Sequence, residues 1–151
     1  MEKRNLGNTG TKVGALGIGA MSFSDFYGPT NTQESHAILK MALDNGIDHI
    51  DTAKVYGMGL SEERIGQFLN TLNPNDRQFF KIATKGGIDR KNFDDKGTVV
   101  FDNSKEFLTE ELNNSLRRLG VDCVELYYVH RREADRAIEE VTETLVEFIN
   151  D

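Results

Sequence analysis

Residues 47–72 read IDHIDTAKVYGMGLSEERIGQFLNTL. The opening IDHIDTA, with its isoleucines, predicts a strand. Residues 61–72 predict a helix, because Ile65, Phe68, Leu69 and Leu72 recur at helical spacing on one face. Ser61 suits the N-cap, where a hydroxyl can accept a hydrogen bond from an otherwise orphaned backbone N–H. Between strand and helix lies DTAKVYG, residues 51–57, in which an acid, a lysine and a tyrosine crowd a strand-to-loop transition.

The same strand-then-helix unit recurs on both sides. Upstream, GALGIGAMSF reads as a short buried strand. Residues 31–45 follow as a helix carrying Ile38, Met41 and Ala42 inward, ended by Gly46. Downstream, NPND predicts a turn and QFFKIATK a strand. A polar loop with Gly86, Gly87 and Gly97 then runs from Gly86 to about Asn103, a length often associated with function. Residues 104–119 predict a helix burying Leu108, Leu112, Leu116 and Leu119, closed by Gly120. CVELYYVH predicts the next strand, opening on Cys123 as a small core residue. Residues 135–150 predict a helix with Ile138, Val141, Leu145 and Phe148 inward. Ahead of everything, KRNLGNTGTKVGAL reads as a hairpin turning at Asn8, Thr9 and Gly10. Four strand–helix units behind a hairpin predict an α/β fold with a parallel sheet.

Composition sets limits on the function. The chain has 151 residues, 38% of them hydrophobic and 28% charged, which describes one globular domain. A net charge of -7 argues against nucleic acid and anionic membrane surfaces as partners. The single cysteine cannot form an internal disulfide, and the N-terminus carries no signal-peptide-like apolar run. No apolar stretch approaches the roughly 18 to 20 residues that span a bilayer. A reducing, cytoplasmic setting is expected. No metal-ligand pattern stands out.

A parallel sheet can stay open as a doubly wound fold or close as a barrel. The open form calls for G-x-G-x-x-G after the first strand, but Gly17 and Gly19 are followed by Ser22 where the third glycine belongs. The barrel form collects its active residues at the C-terminal ends of the strands. The predicted strand ends and the loops after them carry Asp51, Tyr56, Lys85 and His130: an acid, a phenol, an amine and an imidazole at one rim. Each alone is more simply a loop, packing or surface residue, but the strand ends follow from hydrophobic pattern and not from the site.

GIDHIDTAKVYGMGLSEERIGQFL resembles the aldo-keto reductase signature around the catalytic acid and tyrosine. IATKGG is similar to that family's lysine strand, VELYYVHR to its histidine strand, and RNLGNTGTKVGALGIGAMSF to its hairpin cap and first barrel strand. The resemblance runs in order over essentially the whole chain. It implies a (β/α)8 TIM-type barrel that reduces aldehydes or ketones with NADPH, with Asp51, Tyr56, Lys85 and His130 as the catalytic tetrad. Chemically, reduction needs a hydride from the cofactor and a proton at oxygen. Tyr56 is the expected acid, Lys85 the ammonium that favours its phenolate, Asp51 the partner that holds Lys85, and His130 the group that orients the carbonyl. Lys54, between acid and phenol, is expected to face solvent. By the same resemblance Ala20, Met21 and Asp51 contact the cofactor, while Ser22, His130 and Arg131 line the substrate pocket. Barrel-wall packing for residues 20–22 and a surface charge for Arg131 are the plainer readings. His36 and His49 are expected to be structural or exposed.

A whole barrel of this kind takes about 250 residues. Residues 1–151 therefore read as its N-terminal half: four βα units with a hairpin cap. Two consequences are expected. The open edges of the sheet favour self-association. Activity is weakened or lost, the alternative being a catalytically silent half-barrel that acts only as an interaction module.

Overall fold

In the computed structural model the described residues are 1–93 and 97–150. The chain opens with an antiparallel hairpin, β1 (Lys3–Asn5) and β2 (Lys12–Gly14). Its turn is tied by the Leu6 amide to the Thr11 carbonyl at 2.8 Å, with Gly10 at φ 82° in the left-handed region that glycine adopts without a Cβ clash. Asp48 fastens this hairpin to the body. Its carboxylate accepts from the Gly14 amide at 2.6 Å and pairs with the Lys3 ammonium.

Four parallel strands form the central sheet: β3 (Gly17–Gly19), β4 (His49–Asp51), β5 (Lys81–Gly86) and β8 (Leu126–Val129), in the order β3-β4-β5-β8. The register places Gly19 opposite Asp51, Asp51 opposite Ala83, and Lys85 opposite Tyr128. Helices α1 (Thr32–Asp44), α2 (Leu60–Leu69), α4 (Lys105–Leu119) and α5 (Ile138–Asn150) follow the four strands in turn. This is the succession of four βα units read from the sequence. Ile50, Ile65, Phe68, Leu69, Phe80, Ile82 and Leu119 fill the layer between sheet and helices.

Local chemistry explains the helix ends. Asn31 and Glu34 form a reciprocal capping box at the start of α1. Ser104 accepts from the Phe107 amide at 3.3 Å at the start of α4, and Gly120 closes that helix at φ 66°. The NPND segment is more than a turn: Asn73 caps a short helix, α3 (Pro74–Phe79), with Pro74 in its first turn.

Other expectations are corrected. Within the predicted Gly86–Asn103 loop, β6 (Ile88–Phe93) and β7 (Val99–Phe101) pair as an antiparallel hairpin, leaving residues 94–96 outside the described set. On α1 the buried residues are Ser35, Leu39 and Ala42, whereas Ile38 and Met41 are exposed. The helix is apolar on two sides, and the sheet takes the side centred on Leu39. On α4, Leu108 and Leu119 are buried with Glu111 and Ser115, and Leu112 and Leu116 are half-buried. Helix α5 begins at Ile138, three residues later than expected, and Ile138 itself is exposed. Cys123 is exposed in the segment before β8, where Val121 and Val124 take the inward positions.

Candidate active site

The sheet brings the four rim residues together. In a strand alternate side chains leave opposite faces, so Lys85 projects to the face opposite Thr84, whose hydroxyl meets Glu62 of α2. The Lys85 ammonium donates to the Asp51 carboxylate and to the Thr52 carbonyl, the latter at 2.8 Å. It also stands 5.2 Å from the centre of the Tyr56 ring and 5.8 Å from that of Tyr128. The Tyr56 and His130 rings meet edge to face with centroids 5.7 Å apart. Asp51, Tyr56, Lys85 and His130 therefore form one cluster at the C-terminal ends of β4, β5 and β8.

His130 is set by the backbone as well. Its amide donates to the Gly86 carbonyl at 2.8 Å, extending the β5–β8 pairing past the last strand residue. Burial, then the positive charges of Lys85 and Arg131, hold its imidazole below the ordinary value of 6.5, against the opposing pull of Asp51. The ring is thus neutral at pH 7. Its Nδ1 is buried and without a hydrogen-bond partner.

The 51–56 segment is braced on the side away from the cluster. Thr52 and Ser61 share a hydrogen bond of 2.9 Å between hydroxyls, and Ser61 donates onward to the Ala20 carbonyl at 2.8 Å. Ser61 is therefore a buried clamp rather than an N-cap; Gly59 occupies the cap position of α2. Lys54, expected in solvent, is 8% exposed and pairs with Glu111 at 3.0 Å. The reversal has a simple cause: strand alternation continues past Asp51, so Lys54 points into the helix layer, where a carboxylate on α4 meets it.

The remaining expected ligand contacts occupy the neighbouring rim. Ala20, Met21 and Ser22 lie in a 3₁₀ turn directly after β3. Ala20 is fully buried, while Met21 and Ser22 are half-buried. Beside them Gly19, opposite Asp51, has open space where a Cβ would stand. Arg131 is exposed, and its carbonyl accepts from Asn103 at 3.0 Å. Two supports escaped the sequence reading. Arg64 donates to the Phe23 carbonyl at 2.6 Å and holds the 3₁₀ turn in place. Asn103, 1% exposed, accepts from the Glu133 amide at 2.8 Å and ties down the chain beyond His130. A polar residue just before a helix is the only local signal that Asn103 gave.

A model of the aldo/keto reductase family matches residues 15–151. The chain belongs to the aldo/keto reductase family. Among its relatives, "Aldo-keto reductase yakc [NADP(+)]" of Schizosaccharomyces pombe is 34% identical over 91% of this chain and 39% of its own length. The aldo-keto reductase YhdN of Bacillus subtilis is 33% identical over 97% of this chain and 43% of its own. In three dimensions, the holo form of aldo-keto reductase AKR11C1 from Bacillus halodurans superposes with a TM-score of 0.82 and 34% identity, over 99% of this chain and 47% of that one. The chain thus spans about half the length of the relatives it matches, and its parallel sheet is part of their (β/α)8 barrel. Among the described residues, no helix is long and apolar enough to cross a membrane.

Proposed function

We propose that this aldo/keto reductase chain carries the reacting end of an NADPH-dependent carbonyl reductase that turns a small aldehyde or ketone into an alcohol. The observation that carries the reading is the convergence of the Lys85 ammonium on both Asp51 and the Tyr56 ring, with His130 against that ring. The residues present suit the nicotinamide end of the cofactor. Gly19 leaves open space beside Asp51, and Met21 and Ser22 stand half-buried on the same rim. Ala20 shapes this rim through its backbone, which Ser61 holds. NADPH, when bound, supplies the hydride to the carbonyl carbon.

The chain's own residues deal with the proton. The Tyr56 hydroxyl gives its proton to the carbonyl oxygen as the C=O π bond opens, and the resulting phenolate recovers a proton from solvent. The Lys85 ammonium compensates the charge left on the phenolate, and Asp51 keeps that ammonium in place. His130, neutral at pH 7, donates a ring N–H to the same oxygen and orients the carbonyl, while Ser22 and Arg131 face the rest of a small substrate. One exposed cysteine, Cys123, suits a reducing cytoplasm. We further infer that the chain self-associates through the open edges of β3 and β8, which completes the wall around this site.

The test is a fluorescence titration of the purified chain with NADPH, followed by turnover of a generic aldehyde. Saturable binding and turnover that falls at least about a hundredfold in Tyr56→Phe support the reading, that being the scale of one general acid. Absence of binding up to millimolar NADPH would leave the cluster an inherited arrangement without chemistry in this chain.

A further inference from the structure

Lys54 lies between the acid and the tyrosine in sequence, yet its side chain runs the other way. It is 8% exposed, and its ammonium sits 3.0 Å from Glu111 of α4 and 6.0 Å from the centre of the Phe107 ring. Its backbone amide donates to the Lys85 carbonyl at 3.3 Å. The Tyr56 amide in turn donates to the Ala53 carbonyl at 3.0 Å. Besides that backbone bond to β5, side chains pin the short run from Asp51 to Tyr56 twice. Thr52 is held through Ser61, and Lys54 through Glu111. Tyr56 hangs from the second pin.

We propose that the buried Lys54–Glu111 ion pair is a positioning device that sets the height of Tyr56 against Lys85 and His130. The proposal rests on the reductase reading for its catalytic consequence, but not for its geometry. A buried pair of this sort is a poor source of stability, because desolvating both charges cancels most of their attraction. Glu111 displays that cost: burial pushes its carboxyl up, the Lys54 and Arg118 charges pull it back, and the net direction is upward. Its second oxygen, Oε2, is buried and unpartnered. What such a pair supplies is one preferred separation. A neutral pair of similar volume would fill the same space without fixing how far the loop descends.

That contrast defines the experiment. Removing one partner would strand a buried charge, so the variant is the double K54M/E111Q, with K54R as the version that keeps a cation for Glu111. The readout is the ring C–H signal of His130 in the NMR spectrum. The chain has only 3 histidines, so the signal is assigned with H130Q. Tyr56 lies edge to face with His130, so its ring current marks that signal. Y56L gives the position with the current removed. The charges that shift His130 are those of Lys85, Arg131 and Asp51; neither Lys54 nor Glu111 is among them, and K54M/E111Q removes one charge of each sign. A change in K54M/E111Q is therefore transmitted by movement.

The expected result is a His130 signal displaced toward its Y56L position in K54M/E111Q, with the His36 and His49 signals in place and K54R like the parent. An unmoved His130 signal overturns the proposal. So does displacement of all three histidines together, which is general loosening. Turnover adds a second arm: kcat should fall by roughly tenfold to a hundredfold, the scale of a misplacement of about 1 Å, with KM for NADPH unchanged. An unchanged kcat in a working enzyme would also overturn it. If the parent chain turns nothing over, the reductase reading fails while the NMR arm still decides where Tyr56 is held.

Discussion

His130 is the residue whose protonation reports on the whole cluster. Burial, with the Lys85 and Arg131 cations, places its folded-state pKa below the ordinary 6.5. The unfolded chain therefore binds a proton at higher pH than the folded one does. Between the folded value and 6.5 the unfolded state holds more protons, so this residue lowers stability as pH falls through that window and contributes nothing above it. Lys85 is the larger of the two opposing cations. In Lys85→Met its contribution disappears while Asp51 still favours the imidazolium, so the His130 midpoint should rise and the window narrow. An NMR titration of the His130 ring in parent and variant checks this. A midpoint that stays put or falls would mean that the Lys85 charge does not reach His130. The clustered rim residues were legible in the sequence because Asp51, Lys85 and His130 sit at or just past the end of a hydrophobic run and Tyr56 lies in the loop that follows one, so the pattern that marks the strands also marks the rim. Lys54 was misread for the opposite reason. Its partner Glu111 lies on α4, in the next strand–helix unit and 57 residues on, and no local signal announces a buried cation.

At the scale of elements, the contact between α2 and α4 decides how the site is backed. Glu62 on α2 is fully buried, accepting from Thr84 of β5 at 2.6 Å and from Arg118 of α4 at 2.7 Å. The helices come close enough for this because α2 carries Gly66 at the crossing. A Cβ on Gly66 would overlap the Arg118 carbonyl oxygen and lie 3.0 Å from the Leu119 carbonyl. Both obstacles are backbone and cannot rotate away. In an exposed helix, Gly→Ala gains about 1 kcal/mol from propensity. Here overpacking opposes it with about 1–3 kcal/mol or more, so Gly66→Ala should be net destabilising. Urea unfolding reads the sign directly, and a stabilised variant would show that the helices slide apart freely. The sequence told the existence and order of these elements from periodicity alone, but not their faces. Helix α1 carries apolar residues on both sides, so a stripe through Ile38 and Met41 was as plausible as the one through Leu39 that packs. The β6–β7 hairpin was hidden because β6 is polar throughout between Ile88 and Phe93, and β7, though apolar, is only the three residues Val99–Phe101, too short to show alternation.

Those misassigned apolar residues matter for the molecule as a whole. Ile38 and Met41 of α1 are 47% and 68% exposed, and α1 follows edge strand β3. Ile138, Val146 and Ile149 of α5 are 51%, 50% and 82% exposed, and α5 follows edge strand β8. Each open edge of the sheet thus has an uncovered apolar helix beside it. A parallel sheet repeated about a two-fold axis along the barrel sets β8 of one copy against β3 of the other with strands still parallel, and α5 against α1. The same operation forms both seams at once, as a closed symmetric pair requires. On the self-association proposed above, a second copy satisfies both edges together. Sedimentation of the chain at micromolar concentration should show a dimer. Val146→Asp puts a charge into the seam, and symmetry places it there twice. At roughly 2 kcal/mol for each buried anchor lost, the two seams cost about 4 kcal/mol, close to a thousandfold in Kd. The variant should then sediment as a monomer where the parent is paired. A parent that stays monomeric at that concentration would sink the two-fold closure and leave both edges to be met by a different chain segment.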